Sequence, residues 1–132
     1  MSDIVEELLR YYAIPSIARK VTRDVELDGH RLRAGDMVAF PLVSANRDGA
    51  EDAGRVRLDR PRPAVHFAFG ADPHRCLGSH LAREELAVAL DEWHRRLPEY
   101  ELRPDAEIVE AWGPVAGLTS LPLRFTSGGD SR

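Results

Sequence analysis

The stretch that most constrains this chain is Phe69-Gly70-Ala71-Asp72-Pro73-His74-Arg75-Cys76-Leu77-Gly78. It sets the only cysteine among 132 residues between a turn and the longest amphipathic run. Gly70, Asp72 and Pro73 are turn formers, so the chain reverses just before Cys76. From Cys76 to Leu97 the residues Leu77, Leu81, Leu86, Ala89, Trp93 and Leu97 recur at helical steps. Arg83, Glu84, Glu85, Asp91, Glu92, Arg95 and Arg96 stand between them, which predicts a long helix stopped by Pro98. Cys76 then falls in its first turn, where unpaired peptide N–H groups and the helix dipole favour an anionic sulfur, the form that ligates metals. Gly70 and Gly78 leave room for backbone to approach a bulky partner closely.

The rest of the chain divides into shorter pieces. Residues 3–12 carry Ile4, Val5, Leu8, Leu9 and Tyr12 at helical spacing, with Ser2 as N-cap and Pro15 as stop. Val25-Glu26-Leu27 and His30-Arg31-Leu32 flank Asp28-Gly29, a strong hairpin signal. Gly35-Asp36 is a further turn, and Met37 to Phe40 reads as a strand ended by Pro41. Residues 46–64 are polar and rich in Gly, Pro and Arg, hence a long surface loop. Ile108-Val109 and Leu118 to Phe125 suggest a closing hairpin, and Ser127 to Arg132 a frayed end. The expected class is α+β, with one dominant helix and small antiparallel strand pairs.

Composition excludes several functions. A net charge of -4 and a pI near 5.7 lack the basic footprint of a nucleic-acid binder. No apolar run is long enough to span a bilayer, and Asp3, Glu6 and Glu7 stand where a secretory signal wants positive charge. One cysteine permits no internal disulfide, so the expected location is cytoplasmic. With 43% apolar and 30% charged residues, 132 residues read as one domain burying roughly two-thirds of its unfolded surface.

Three chemistries compete for Cys76. A lone intracellular cysteine is commonly a small buried hydrophobe. His74, Cys76 and His80 lie close enough to suggest zinc, although the paired Cys spacing of structural zinc sites is missing. A thiolate in an apolar pocket, with basic side chains for carboxylates, is the arrangement that binds haem through sulfur.

FGADPHRCLG resembles the haem-binding signature of the cytochrome P450 family, Phe-Gly-x-Gly-x-(His/Arg)-x-Cys-x-Gly. Glu7-Leu8-Leu9-Arg10 looks like that family's Glu-x-x-Arg helix motif, and CLGSHLAREEL resembles the helix following the cysteine in soluble bacterial members. The resemblance runs from about residue 3 to 125. It implies that residues 1–132 are a C-terminal P450 part: Glu-x-x-Arg helix, β-rich segment, haem-binding loop, long helix and terminal hairpin. Cys76 would then be the axial ligand of haem b iron, with Phe69 packed beside it and Gly70 and Gly78 shaping the loop. Arg19, His66 and His74 match positions that contact haem propionates. Ile14, Ile17, Val115, Ala116 and Leu118 fall in segments that line the substrate pocket. The activity implied is oxidation of a small apolar substrate, with electrons from a ferredoxin or flavoprotein reductant.

Spacing alone does not choose between Glu6 and Glu7 as the partner of Arg10, since both are within one turn of it. The resemblance favours Glu7, joined by an arginine of the following loop, Arg60 or its neighbour Arg62. Asp72 stands where the family usually has its second glycine, and aspartate tolerates a left-handed backbone better than most residues. The chain starts at the Glu-x-x-Arg helix, so the family's upstream distal part is expected to be missing. A truncated, non-enzymatic product or a weak haem-binding or interaction module is therefore the alternative expectation.

Overall fold

The computed structural model describes residues 2–48, 53–60, 65–97 and 99–125. Pro98, Arg62 and the 127–132 tail, on which expectations were placed above, lie outside them.

Helix α1 spans Ser2–Tyr11, with Arg10 in its last turn, where a cation complements the helix dipole. Ser2 is the first helical residue and not the cap; its hydroxyl lies 3.5 Å from the Asp3 carboxylate. Strand β1 (Ser16–Lys20) pairs antiparallel with β4 (Met37–Pro41), Ile17 opposite Phe40 and Arg19 opposite Val38. Between them β2 (Val25–Leu27) and β3 (His30–Leu32) form the expected hairpin. Asp28 and Gly29 both take positive φ, 51° and 76°, which suits the twist of a two-residue hairpin turn.

Helix α2 (Leu42–Arg47) follows β4 directly and ends two residues into the expected 46–64 loop. Its Leu42 and Asn46 are both buried, one turn apart. Helix α3 covers Ser79–Arg96, so it begins three residues after Cys76. The apolar period ran on through the preceding turn because Leu77 happens to keep step with Leu81, yet Leu77 is 98% exposed. The cysteine therefore lies in the loop leading into the helix and not in its first turn.

The tail also departs from expectation. Strand β6 (Val109–Ala111) pairs with β7 (Gly117–Ser120), whereas β8 (Leu123–Phe125) pairs with β5 (Tyr100–Leu102). One closing hairpin is thus two separate antiparallel ladders. The β5–β8 pair is anchored to α3 through Trp93, whose ring meets Tyr100 edge-on at 5.8 Å and Phe125 at 6.3 Å. The β6–β7 pair docks on the segment before β1: Ser16 donates its N–H to Pro114 at 2.9 Å, and Ala116 to Ile14 at 3.1 Å.

Helix α1 packs against both α2 and α3. Ala13, Leu42 and Ala68 make a small buried cluster, with Leu9, Ile17 and Val43 against it. The accessible surface is 10644 Å², where about 6,900 Å² is typical of a compact monomer of this mass. That overturns the two-thirds burial inferred from length. Val65, Leu77, Leu81, Val88, Trp112 and Val115 all stand well exposed.

Candidate functional site

The loop carrying the cysteine is closed at its neck by backbone hydrogen bonds. Cys76 donates its N–H to the Phe69 carbonyl at 2.9 Å, and Gly70 donates to Phe67 at 2.7 Å. Between these ends Gly70 takes φ 72° and Asp72 φ 56°, with Asp72–His74 forming one 3-10 turn. Asp72 therefore adopts the left-handed backbone that a glycine would adopt more cheaply. Gly78 has an ordinary backbone (φ -77°), and a Cβ there would sit 3.9 Å from the Cys76 sulfur.

Cys76 faces a cleft of about 690 Å³, within the size range of cofactor and small-molecule sites. Its walls come from α1 and the following turn (Leu8, Leu9, Tyr12, Ala13, Ile14), from Ile17 and Leu42, from Ala68 and Phe69, and from Leu86 of α3. Arg19 and His74 are the two basic side chains on its lining. Ile14 and Ile17 line it as well. Val115 and Ala116 adjoin it through their backbone pairing with residues 14 and 15, while Leu118 lies out on β7 opposite Glu110.

His66 is placed elsewhere. Its side chain is 3% exposed; Nδ1 accepts from the Ala68 N–H at 3.1 Å, which leaves Nε2–H to donate to Glu6 at 3.1 Å. Burial holds its pKa below the usual 6.5, consistent with a neutral ring. It lines a second, polar cleft of about 380 Å³ with Glu6, Asp72, Arg75 and Arg83. Both of its ring nitrogens are thus committed away from the apolar cleft.

Glu7, Arg10 and Arg60 are brought together behind that wall. Arg10 grips Glu7 through Nε and Nη2 at 2.9 and 2.8 Å, and Arg60 reaches the same carboxylate at 3.0 Å. The remaining Arg10 N–H groups go to the carbonyls of Asn46, Ala53 and Arg55, and the Arg57 N–H caps Glu7 at 2.8 Å. These bonds, Arg10's first, hold Glu7's pKa at about 2 instead of 4.5. The residues around 53–57 thereby use backbone, not side chains, to complete the network, which no spacing rule exposes. The Asn46 side chain also donates from Nδ2 to the Arg10 carbonyl at 3.1 Å and accepts the Phe67 N–H at 2.7 Å, tying α2 to α1 and to the cysteine loop.

Glu6 does not compete for Arg10. It pairs with Arg83 of α3, and this hydrogen bond lowers its pKa against the opposing effect of burial. Neither Arg83 nor Leu86 stood out in the sequence as more than the polar and apolar faces of one helix. His74, Cys76 and His80 do not converge: among the described residues no three His, Cys, Asp or Glu side chains gather where they could hold a metal ion. That disposes of the zinc arrangement. A single sulfur, apolar walls and two basic side chains on the lining do fit an iron porphyrin.

Comparisons with known proteins agree with that fit. The family profile described as Cytochrome P450 matches residues 1–107. The chain is 42% identical over 129 residues to the mycinamicin VIII C21 methyl hydroxylase of Micromonospora griseorubida, covering 95% of this chain and 33% of that protein. It is likewise 42% identical over 126 residues to the vitamin D3 dihydroxylase of Streptomyces griseolus, covering 92% of this chain and 31% of that one. Among solved structures, cytochrome P450 CYP101C1 superposes with a TM-score of 0.88 at 37% identity, over 96% of this chain and 33% of the other. The chain therefore spans about a third of the length of the relatives it matches.

Proposed function

Because the chain belongs to the cytochrome P450 family, we propose that it is the cysteine-bearing part of a haem-thiolate monooxygenase acting on a small apolar substrate. The observation that carries this reading is Cys76 on a loop with a tight neck, facing a cleft whose lining is almost wholly apolar. Haem ligated by thiolate supplies activation of dioxygen for insertion of one oxygen atom into a C–H bond.

The chain's own residues do the rest. Cys76 holds the iron through its sulfur, in the anionic form. Arg19 and His74 hold the cofactor's carboxylates, since charge-assisted hydrogen bonds are the strong kind. Leu9, Ala13, Ile17 and Leu86 exclude water from the macrocycle, and Ile14 with Val115 and Ala116 bounds the substrate side. Glu7, Arg10 and Arg60 keep the wall behind the cofactor rigid without touching it. Electrons come from a ferredoxin or flavoprotein reductant, the kind of partner that the family resemblance implies.

Titration of the purified chain with haem b tests the reading. One equivalent is expected to bind, and Arg19→Ala is expected to weaken binding by about tenfold, the worth of one charge-assisted hydrogen bond. Unchanged affinity in Arg19→Ala together with Cys76→Ala would contradict it. A second reading, a haem-binding or interaction module without oxygenase activity, draws on the exposed Val65, Leu77 and Trp112. Substrate oxidation by this chain with a reductant would exclude that reading.

A further inference from the structure

We infer that Arg83 is a positioning residue for the cysteine loop, acting through the Phe69 ring. The inference rests on the haem reading of the Cys76 cleft for its consequence, though not for its geometry.

Arg83 belongs to α3, and all three of its side-chain nitrogens are hydrogen-bonded within the fold. Nε and Nη2 grip Glu6 of α1, the latter at 3.1 Å, and Nη1 donates to the Ser79 carbonyl at 3.0 Å. Ser79 is itself buried at the start of α3. With its edges so committed, the guanidinium lies over the Phe69 ring, 4.8 Å from its centroid. Phe69 in turn accepts the Cys76 N–H at 2.9 Å. His66 Nε2–H donates at 3.1 Å to the same Glu6 oxygen, Oε2, that Arg83 Nη2 engages, and its ring centroid is 6.4 Å from that of Phe69.

A continuous set of contacts therefore runs from α1 through Glu6 and Arg83 to Phe69 and the Cys76 peptide. It fixes the sulfur relative to two helices, although no residue in it but Cys76 would touch the iron. The geometry needs arginine specifically. Only a planar fork can bind a carboxylate along one edge, a carbonyl with another nitrogen, and an aromatic ring with its face. Lysine keeps the charge but cannot make the three contacts together.

Amide hydrogen exchange on the haem-free chain reads the role directly. In Arg83→Lys the Cys76 and Gly70 amides are expected to exchange about tenfold faster, while Leu90 in the middle of α3 is unchanged. Arg95→Lys on the exposed face of α3 is the control and should leave all of them unaltered. With haem bound and reduced under carbon monoxide, Arg83→Lys should lower the fraction of chain showing a thiolate-type band several-fold. Equal acceleration at Cys76 and Leu90 would make Arg83 a general packing residue and overturn the inference; so would no acceleration at either. Should Arg83→Lys melt the chain, Glu6→Gln reads the same amides, with a smaller acceleration at Cys76 expected and none contradicting it. If Cys76→Ala leaves the carbon monoxide band as it was, the haem reading fails, and the exchange result still decides the role of Arg83.

Discussion

Glu7 is one of the most enclosed side chains among the described residues, at 1% exposure, and it is charged. Burying a carboxylate is tolerable here because Arg10, Arg60 and the Arg57 N–H surround it with donors, and among the described residues no buried side-chain N or O lacks a partner. The network makes stability acid-sensitive. Glu7 titrates near pH 2 in the fold and near 4.5 when unfolded, so its contribution is complete above about pH 4.5 and is lost as pH falls toward 2. His66 and Glu6 are also shifted downward, by burial and by Arg83 respectively, and act in the same direction. Urea denaturation should therefore show stability falling steadily below about pH 6.5. Glu7→Gln should cost about 3 kcal/mol near neutrality, because it leaves Arg10 buried without its countercharge. It should also flatten the pH dependence below 4.5; a wild-type slope there would show that Glu7 does not control it.

At the scale of elements, what was legible in the sequence depended on how local the cause was. Asp28-Gly29 dictates its turn by itself, since both residues tolerate positive φ, and β2–β3 forms as expected. A Cβ at Gly29 would meet nothing within 4 Å, so Gly29→Ala tests backbone strain alone. It should destabilise the chain by about 1 kcal/mol while leaving haem affinity unchanged, because β2 and β3 contribute nothing to the cleft lining; calorimetry and haem titration on one sample check both halves. Nonlocal causes stayed hidden. Which of Glu6 and Glu7 meets Arg10 is decided by Arg83, 77 residues from Glu6 and presented by another helix. Leu123 to Phe125 pairs with Tyr100 to Leu102 because Trp93 offers both an aromatic platform, and alternation along one strand does not reveal its neighbour. The start of α3 differs from the sequence pattern for a simpler reason: an apolar period continues through a turn when Leu77 keeps helical step without being helical.

For the whole molecule, length alone suggested a compact, self-contained domain. The chain instead carries a small core, a surface of 10644 Å² and large exposed apolar side chains, and it corresponds to about a third of its relatives' length. What the fold does enclose is the back of one cleft: α1, β1, α2 and α3 meet around Cys76, and the cluster of Ala13, Leu42 and Ala68 lies against it. On the proposed reading, that organisation serves as a cofactor cradle. The most direct test is the carbon monoxide difference spectrum of the haem-loaded, reduced chain beside that of Cys76→Ala. A thiolate-type band in the wild-type chain, absent from Cys76→Ala while helix content is retained, is the predicted result. The same band in both proteins would contradict the assignment of Cys76 as the iron ligand.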